Sequence, residues 1–310
     1  MIIKIILTIL MVFLAIFASI IIYENVPHDP INLNLNFGDV SLGEDSKKIN
    51  YNQVSVFAEY MRFDHNNISY NIKGSCPKLR LAYIEEAFGI LNENVRQLSF
   101  YQVDEDADIS IECSEDYVEI GKNLFAAGEG GPTKIIKNGK FNIIEKGTIY
   151  LYQDPICDYP IVELHELLHV FGFNHSNDKK NIMFAVSDCE QRLSENIISA
   201  LQNLYEIPVS PDLIITNLSA VKRGRYLDFN ITIANEGLSG AEEVTLLVSS
   251  NGKEIQTFNL GEIEMGYGRT LYSVNVKMFS SDIKTIDFYV DGEDKISELD
   301  ESNNKARLNE

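Results

Sequence analysis

The sequence predicts an α+β domain followed by an all-β sandwich, both carried behind one apolar helix at the amino terminus. Three observations lead there. Residues 5–23 contain no charge, residues 66–206 mix strand and helix periodicities around a histidine-rich run, and from residue 212 onward the pattern is alternation alone. A chain of 310 residues is long enough for two domains. Its formal charge of −20 argues against a nucleic-acid partner, or an anionic surface bound through a basic face.

Taken in order, residues 1–23 read as a transmembrane anchor. The run IILTILMVFLAIFASIIIY, residues 5–23, would be about 28 Å long as a helix, close to the thickness of a bilayer's hydrocarbon core. Lys4 lies on one side of it, with Glu24 and Asp29 on the other. The positive-inside rule then leaves the amino terminus cytoplasmic and the rest of the chain extracytoplasmic, as a single-pass cell-membrane protein. Secretion after cleavage of a signal peptide is the alternative. Four more apolar residues follow Ala18 and Ser19, which favours the anchor. Residues 24–65 read as a polar tether or short pro-segment, with one strand-like run at 54–60 (VSVFAEY).

In residues 66–206, Ile68–Ile72 alternates as a strand and Leu79–Arg96 carries apolar residues at helical spacing (Leu81, Ile84, Ala87, Phe88, Leu91, Val95). Leu98–Val103 and Asp108–Cys113 are the next strands. Asn123–Gly128 and Gly147–Tyr152 compete as the edge strand to which an extended peptide could add through main-chain hydrogen bonds. The AAGEGGP run at 126–132 lacks the Lys-Ser/Thr ending of a phosphate loop and reads as a loop near the cleft. A helix over Leu193–Tyr205 closes the domain, and the two prolines of IPVSP make 207–211 a stiff linker.

The run HELLHVFGFNH, residues 165–175, carries the chemistry. Residues four apart share a helix face, so His165 and His169 converge on one point. Glu166 places a carboxylate beside the open position of a metal held there, where a general base would stand. Gly172 allows the chain to leave the helix and bring His175 to the same point. Three imidazoles with one position open suit catalytic Zn2+. Two histidines at this spacing are otherwise ordinary polar surface, and the extension to Gly172 and His175 weighs against that reading.

This HExxHxxGxxH pattern resembles the zinc signature of the metzincin metalloproteases, and the spacing to Met183, in the run NIM, is similar to that of the matrixin branch. The elements ISYNI, AF at Ala87 and Phe88, LSFYQV and ADISI resemble the opening of a matrixin domain. The resemblance implies a metzincin-like fold, a twisted mixed sheet with three helices, and zinc-dependent cleavage of a protein or peptide substrate. It implies His165, His169 and His175 as ligands of one catalytic zinc, Glu166 as general base, and Met183 as the Met-turn floor. It also makes Phe125, Ala126 and Ala127 the better candidates for the substrate edge strand. Phe184 stands where metzincins with an assisting tyrosine carry it. His28 and His65 are the only other histidines, so a second, structural zinc is not expected. If the first and third strands lie side by side and parallel, as in matrixins, Cys76 can bridge Cys113, and Cys157 then bridges Cys189. Such bridges imply an oxidising, extracellular setting. A cysteine metal site would need C-x-x-C spacing, which is missing.

Residues 212–310 hold six or so strand-like runs, in one of which Leu227, Phe229, Ile231 and Ile233 share a face. They predict an immunoglobulin-like sandwich. The opening PDLIITNL, the turn at Asn235–Gly237 and the ending ELDESNN resemble the cell-adhesion-related domain (CARDB) of bacterial and archaeal surface proteins. That implies a binding or spacer role, with a surface protein or glycan as partner. Asp291, Glu293, Asp294, Glu298, Asp300 and Glu301 could hold Ca2+, but no spaced ligand loop supports it, and they read as solvated turns. The expectation is a membrane-anchored extracellular zinc endopeptidase. The alternative is a cell-surface adhesion protein with an inactive zinc-bound metzincin domain, against which the retained Glu166 speaks.

Overall fold

The computed structural model describes residues 2–25, 30–35, 49, 51, 53–114, 118–121, 124–152 and 157–309. Much of the expected tether, and Asn123 of the expected edge strand, lie outside them. The chain divides into one compact unit of residues 47–209 and another formed by residues 1–46 with 210–310. The first helix, α1, spans Ile2–Asn25. Among the described residues no helix is long and apolar enough to cross a membrane, the side chains described on α1 being those of 6–21. The span expected at residues 5–23 is therefore not supported here.

The amino-terminal unit is a mixed α/β fold. Its strands are β2 (Met61–Arg62), β3 (Asn67–Lys73), β4 (Ser99–Gln102), β5 (Ile109–Cys113), β8 (Gly128–Asn138) and β9 (Phe141–Leu151), and its helices are α2 (Lys78–Asn94), α3 (Ile161–Val170) and α4 (Glu195–Tyr205). Strands β4, β3, β5 and β9 run parallel in that order, β2 joins β9 in parallel, and β8 lies antiparallel along the other side of β9. A short pair, β6 (Glu119–Gly121) and β7 (Leu124–Phe125), stands apart. Parallel strands covered by helices are apolar, and Ile68, Ile109, Ile111, Ile149 and Leu151 are all buried. Helix α2 sinks Ile84, Ala87, Phe88 and Leu91 into the same core, with Phe88 stacked on Tyr70 at 4.2 Å between centroids. Ser194 caps α4, its side chain accepting from the Ile197 amide.

Three expectations need correction. The glycine-rich run read as a loop is the start of strand β8, because α3 packs so closely on it that side chains have no room. A Cβ on Gly128 would stand 2.8 Å from Glu166 Cγ, and one on Gly130 would stand 2.3 Å from the Glu166 carbonyl oxygen. Of the run Gly147–Tyr152, residues 147–151 belong instead to β9, which is paired along both sides there and so is no edge. The run at 54–60 forms an isolated bridge between Val56 and Phe173 in place of a strand.

Cys76–Cys113 and Cys157–Cys189 are both disulfide-bonded. The first pairing follows from β3 and β5 lying in parallel register, Lys73 opposite Glu112, just before the cysteines. Arg62, fully buried, ties the two ends of the unit together: Nη1 donates to the carbonyls of Leu204 (2.7 Å), in the last turn of α4, and of Ile207 (3.0 Å), just past it, and the guanidinium lies 4.5 Å over the Tyr205 ring. A cation suits those free carbonyls.

The second unit is an antiparallel sandwich. It comprises β1 (Ile31–Leu35), β10 (Leu213–Arg223), β11 (Tyr226–Asn235), β12 (Ala241–Ser250), β13 (Lys253–Ile263), β14 (Gly268–Lys277), β15 (Thr285–Val290) and β16 (Lys305–Asn309). Strand β1, from the stretch read as tether, joins the two sheets: Ile31–Leu33 pair with β10, while Asn34 and Leu35 pair with β16. The alternation in β11 buries Leu227, Phe229, Ile231 and Ile233 as predicted. Asp291, Asp300 and Glu301 accept hydrogen bonds from backbone amides of their own turns, Asp291 from Ile296 N at 2.7 Å for example, while Glu298 accepts from the Leu213 amide at the start of β10. They are turn-forming acceptors more than solvated charges.

Candidate metal centre

Helix α3 is buried on nearly every side, so its polar residues need partners inside the protein. Glu163 in its first turn is buried against Arg80 of α2, Nη1 to Oε1 at 2.5 Å. At the other end Gly172 N donates to the His169 carbonyl (3.0 Å) and Phe173 N to the Leu168 carbonyl (3.1 Å). That is the Schellman pattern, with Gly172 at φ +89° in the position that favours glycine. The chain thus turns back immediately after the second histidine.

His165, His169 and His175 are brought together, one nitrogen of each lying within 4.8 Å of the others. His165 Nδ1 donates to the Ile182 carbonyl and His169 Nδ1 to the Phe173 carbonyl, both at 2.7 Å. With Nδ1 carrying the proton, each Nε2 keeps its lone pair, the form a metal ligand needs. His169 Nε2 and His175 Nε2 are 3.2 Å apart. Two nitrogens on a tetrahedral zinc, each at ~2.0–2.1 Å, stand about 3.3 Å apart. The donor set therefore fits one Zn2+. Burial holds the His165 imidazole down at about 4, and burial likewise lowers His169, so both are neutral near pH 7.

Glu166 is buried beside them. Burial pushes its carboxyl up to about 8, nearby Glu129 pushes the same way, and the Gly130 amide, which donates to it, pulls back. A cation at the histidines would act against burial and favour the carboxylate. Met183 is buried in the core, next to the Ile182 whose carbonyl holds His165, and its own carbonyl accepts from Ser176 N at 2.7 Å. The turn is tied both to the first ligand and to the residue after the third. Cys157–Cys189 further closes the loops on either side of α3 and this turn.

The expected substrate strand lies at the entrance to β8. Phe125 is exposed in β7, Ala126 is buried, and the Ala127 carbonyl accepts from Tyr152 N (2.9 Å), continuing the β8–β9 ladder by one step. Among the described residues, the free edge on this side of the sheet is β8. Sequence reasoning missed the Gly130 amide on Glu166, the Arg80 partner of Glu163, and Phe57, whose ring stacks on His169. Glycines alternating in GEG were a legible sign of a strand under a helix; the other two left no trace in spacing.

A family model described as Matrixin matches residues 62–206, and one described as CARDB matches residues 210–307. No curated protein matches the chain. Among solved structures, the solution structure of a CARDB domain from Pyrococcus furiosus is 19% identical, covering 32% of this chain and 92% of its own, with a TM-score of 0.25. The crystal structure of that domain in complex with di-metal ions gives 19%, 32%, 85% and 0.25. A domain of a putative cell surface protein from Methanosarcina acetivorans gives 19%, 32%, 91% and 0.27. The chain therefore carries a matrixin-family domain followed by a CARDB domain.

Proposed function

We propose that this chain is a membrane-anchored extracellular zinc endopeptidase. The observation that carries the reading is the convergence of three histidine nitrogens, two of them from the helix that also carries the buried Glu166. His165, His169 and His175 would hold the ion. Zinc, when bound, supplies a Lewis acid and acidifies water at its open position. Glu166 would take a proton from that water and return it to the leaving amine, which requires its carboxylate form in the resting site. Strand β8, paired among the described residues only on its β9 side, would offer an extended substrate its free edge, with Phe125–Ala127 leading into it. Met183 supports the site from within the core.

The anchor reading rests on the uncharged run of residues 5–23, whose described side chains from Ile6 to Ile21 are all exposed. Two disulfides suit an extracytoplasmic site. In the CARDB domain we place a binding or spacer role toward a surface protein or glycan. Zinc content and cleavage of an unfolded protein test the reading, beside Glu166→Ala and a chelator. A parent that holds about one zinc and cuts, with a Glu166→Ala protein that holds zinc and does not, is the expected result. Zinc in both and cleavage by neither favours the adhesion-protein alternative.

A further inference from the structure

Just before the region that matches the matrixins, residues 55–57 run antiparallel to residues 172–174, the turn between the second and third histidines. The Asn174 amide donates to the Ser55 carbonyl and the Phe57 amide to the Gly172 carbonyl, each at 2.8 Å, with Val56 bridging Phe173 between them. Both ligands depend on that turn. Phe173 supplies the carbonyl that orients His169, and the Asn174 side chain accepts from the His175 amide at 2.7 Å. Phe57 then lies face to face with the His169 ring, 5.8 Å between centroids and 19° between planes.

The segment is itself held in place. Val54, Val56 and Ala58 pack against the core, and the Tyr60 amide donates to the Tyr51 hydroxyl at 3.0 Å, closing a small loop around them. Met61 fills the space a side chain at Gly172 would need, its Sδ 2.6 Å from where a Cβ would stand. The turn is thus gripped from one side by α3 and from the other by residues 55–61.

We propose that residues 55–57 are a positioning strap for the metal centre, and that Phe57 is a positioning residue that fixes the His169 ring. The proposal rests on the reading of His165, His169 and His175 as zinc ligands. It gives part of the stretch expected as tether or pro-segment a constructive role: the strap supports the ligands and does not block them. Partners of ligating histidines are worth about 10–100-fold in metal affinity, and a stacked ring that limits imidazole rotation belongs to the low end of that range.

The test measures the zinc dissociation constant of the full chain in detergent, by competition with a chromophoric chelator, together with the ligand-field spectrum of the Co2+-loaded protein. Phe57→Ala is expected to weaken zinc by about 10-fold and to alter the cobalt spectrum, while Phe57→Tyr, which keeps the ring, stays near the parent. Thermal unfolding of the metal-free proteins separates this from misfolding. Where Phe57→Ala fails to fold, Phe57→Leu keeps the apolar bulk without the ring face and gives the same reading. A folded Phe57→Ala protein with unchanged zinc affinity and spectrum overturns the proposal, and so does one that cuts faster at unchanged affinity, the mark of an inhibitory segment. A parent that takes up no zinc overturns the ligand assignment itself, a failure distinct from either.

Discussion

The Gly130 amide donates to the Glu166 carboxyl, and a Cβ on Gly130 would stand 2.3 Å from the Glu166 carbonyl oxygen. One glycine therefore serves the site twice, by the proton it offers and by the side chain it lacks. Gly130→Ala must push β8 away from α3, since the obstructing atoms are backbone. Overpacking of this kind costs about 1–3 kcal/mol. Urea unfolding should register that loss, and cleavage should fall with it. Gly131→Ala is the control, because nothing lies within 4 Å of its Cβ position. Equal effects of the two substitutions would sink the argument.

Arg80 and Glu163 form an ion pair in which both side chains are 3% exposed. It joins α2 to the helix that bears His165, Glu166 and His169. Removing one partner leaves a buried charge unpaired, at a cost of about 3–5 kcal/mol, whereas replacing both by apolar residues of similar volume is often near neutral. Arg80→Met alone should therefore lower the denaturation midpoint more than Arg80→Met with Glu163→Leu. A double-mutant cycle by chemical denaturation measures this, and strictly additive losses would contradict it.

His65 sits between two carboxylates, Nδ1 at 2.5 Å from Asp64 Oδ1 and Nε2 at 3.1 Å from Asp108 Oδ2. The Asp64 hydrogen bond raises its pKa above the usual value, with Asp108 adding to it against burial. A group raised on folding contributes stability that is full below its unfolded pKa of about 6.5 and is lost as the pH rises through the higher folded value. Asp108 has the opposite sense. Burial pushes it up, but the Ser69 hydroxyl and amide together with His65 outweigh burial and hold it low, so its contribution is lost in acid. Thermal unfolding of the parent should show stability declining on the alkaline side of pH 6.5, and His65→Gln should flatten that decline. An identical pH profile for both proteins would remove His65 from the explanation.

The legible and illegible parts of this fold divide on physical grounds. Periodicity located α2 and α4 within one or two residues, and the alternation of Leu227, Phe229, Ile231 and Ile233 gave the sandwich core, because in each case a single face meets one core. The histidine run was legible because metal coordination fixes residue type and spacing together. Strand β8 was missed because glycine, where a helix presses on a strand, carries no hydrophobic signal. Strand β1 was missed because INLNL is short and flanked by polar sequence, and its partners lie about 180 residues or more along the chain. Phe57 stands in the sequence only as part of a strand-like run, since what it touches is decided by the turn at Gly172, far away in sequence.

Asn235 shows how a polar side chain can hold a sandwich together. It is fully buried, and its Nδ2 donates to the carbonyls of Ser239 (2.8 Å) and Ile263 (3.0 Å) while its Oδ1 accepts from the amides of Asp212 and Gly237, both at 3.1 Å. Asn235→Ala removes four hydrogen bonds, two of them fully buried, and each buried group that loses its partner costs about 1–3 kcal/mol. A loss of at least 3 kcal/mol is expected after water and relaxation recover some of it. Asn235→Asp should be as harmful, because an ionised carboxylate accepts from the two amides but repels the two carbonyls. Residues 47–209 form a compact unit apart from the sandwich, so calorimetry of the parent should resolve two transitions. Asn235→Ala should lower one of them and Arg80→Met the other. A single transition that both substitutions move together would mean that the two units unfold as one.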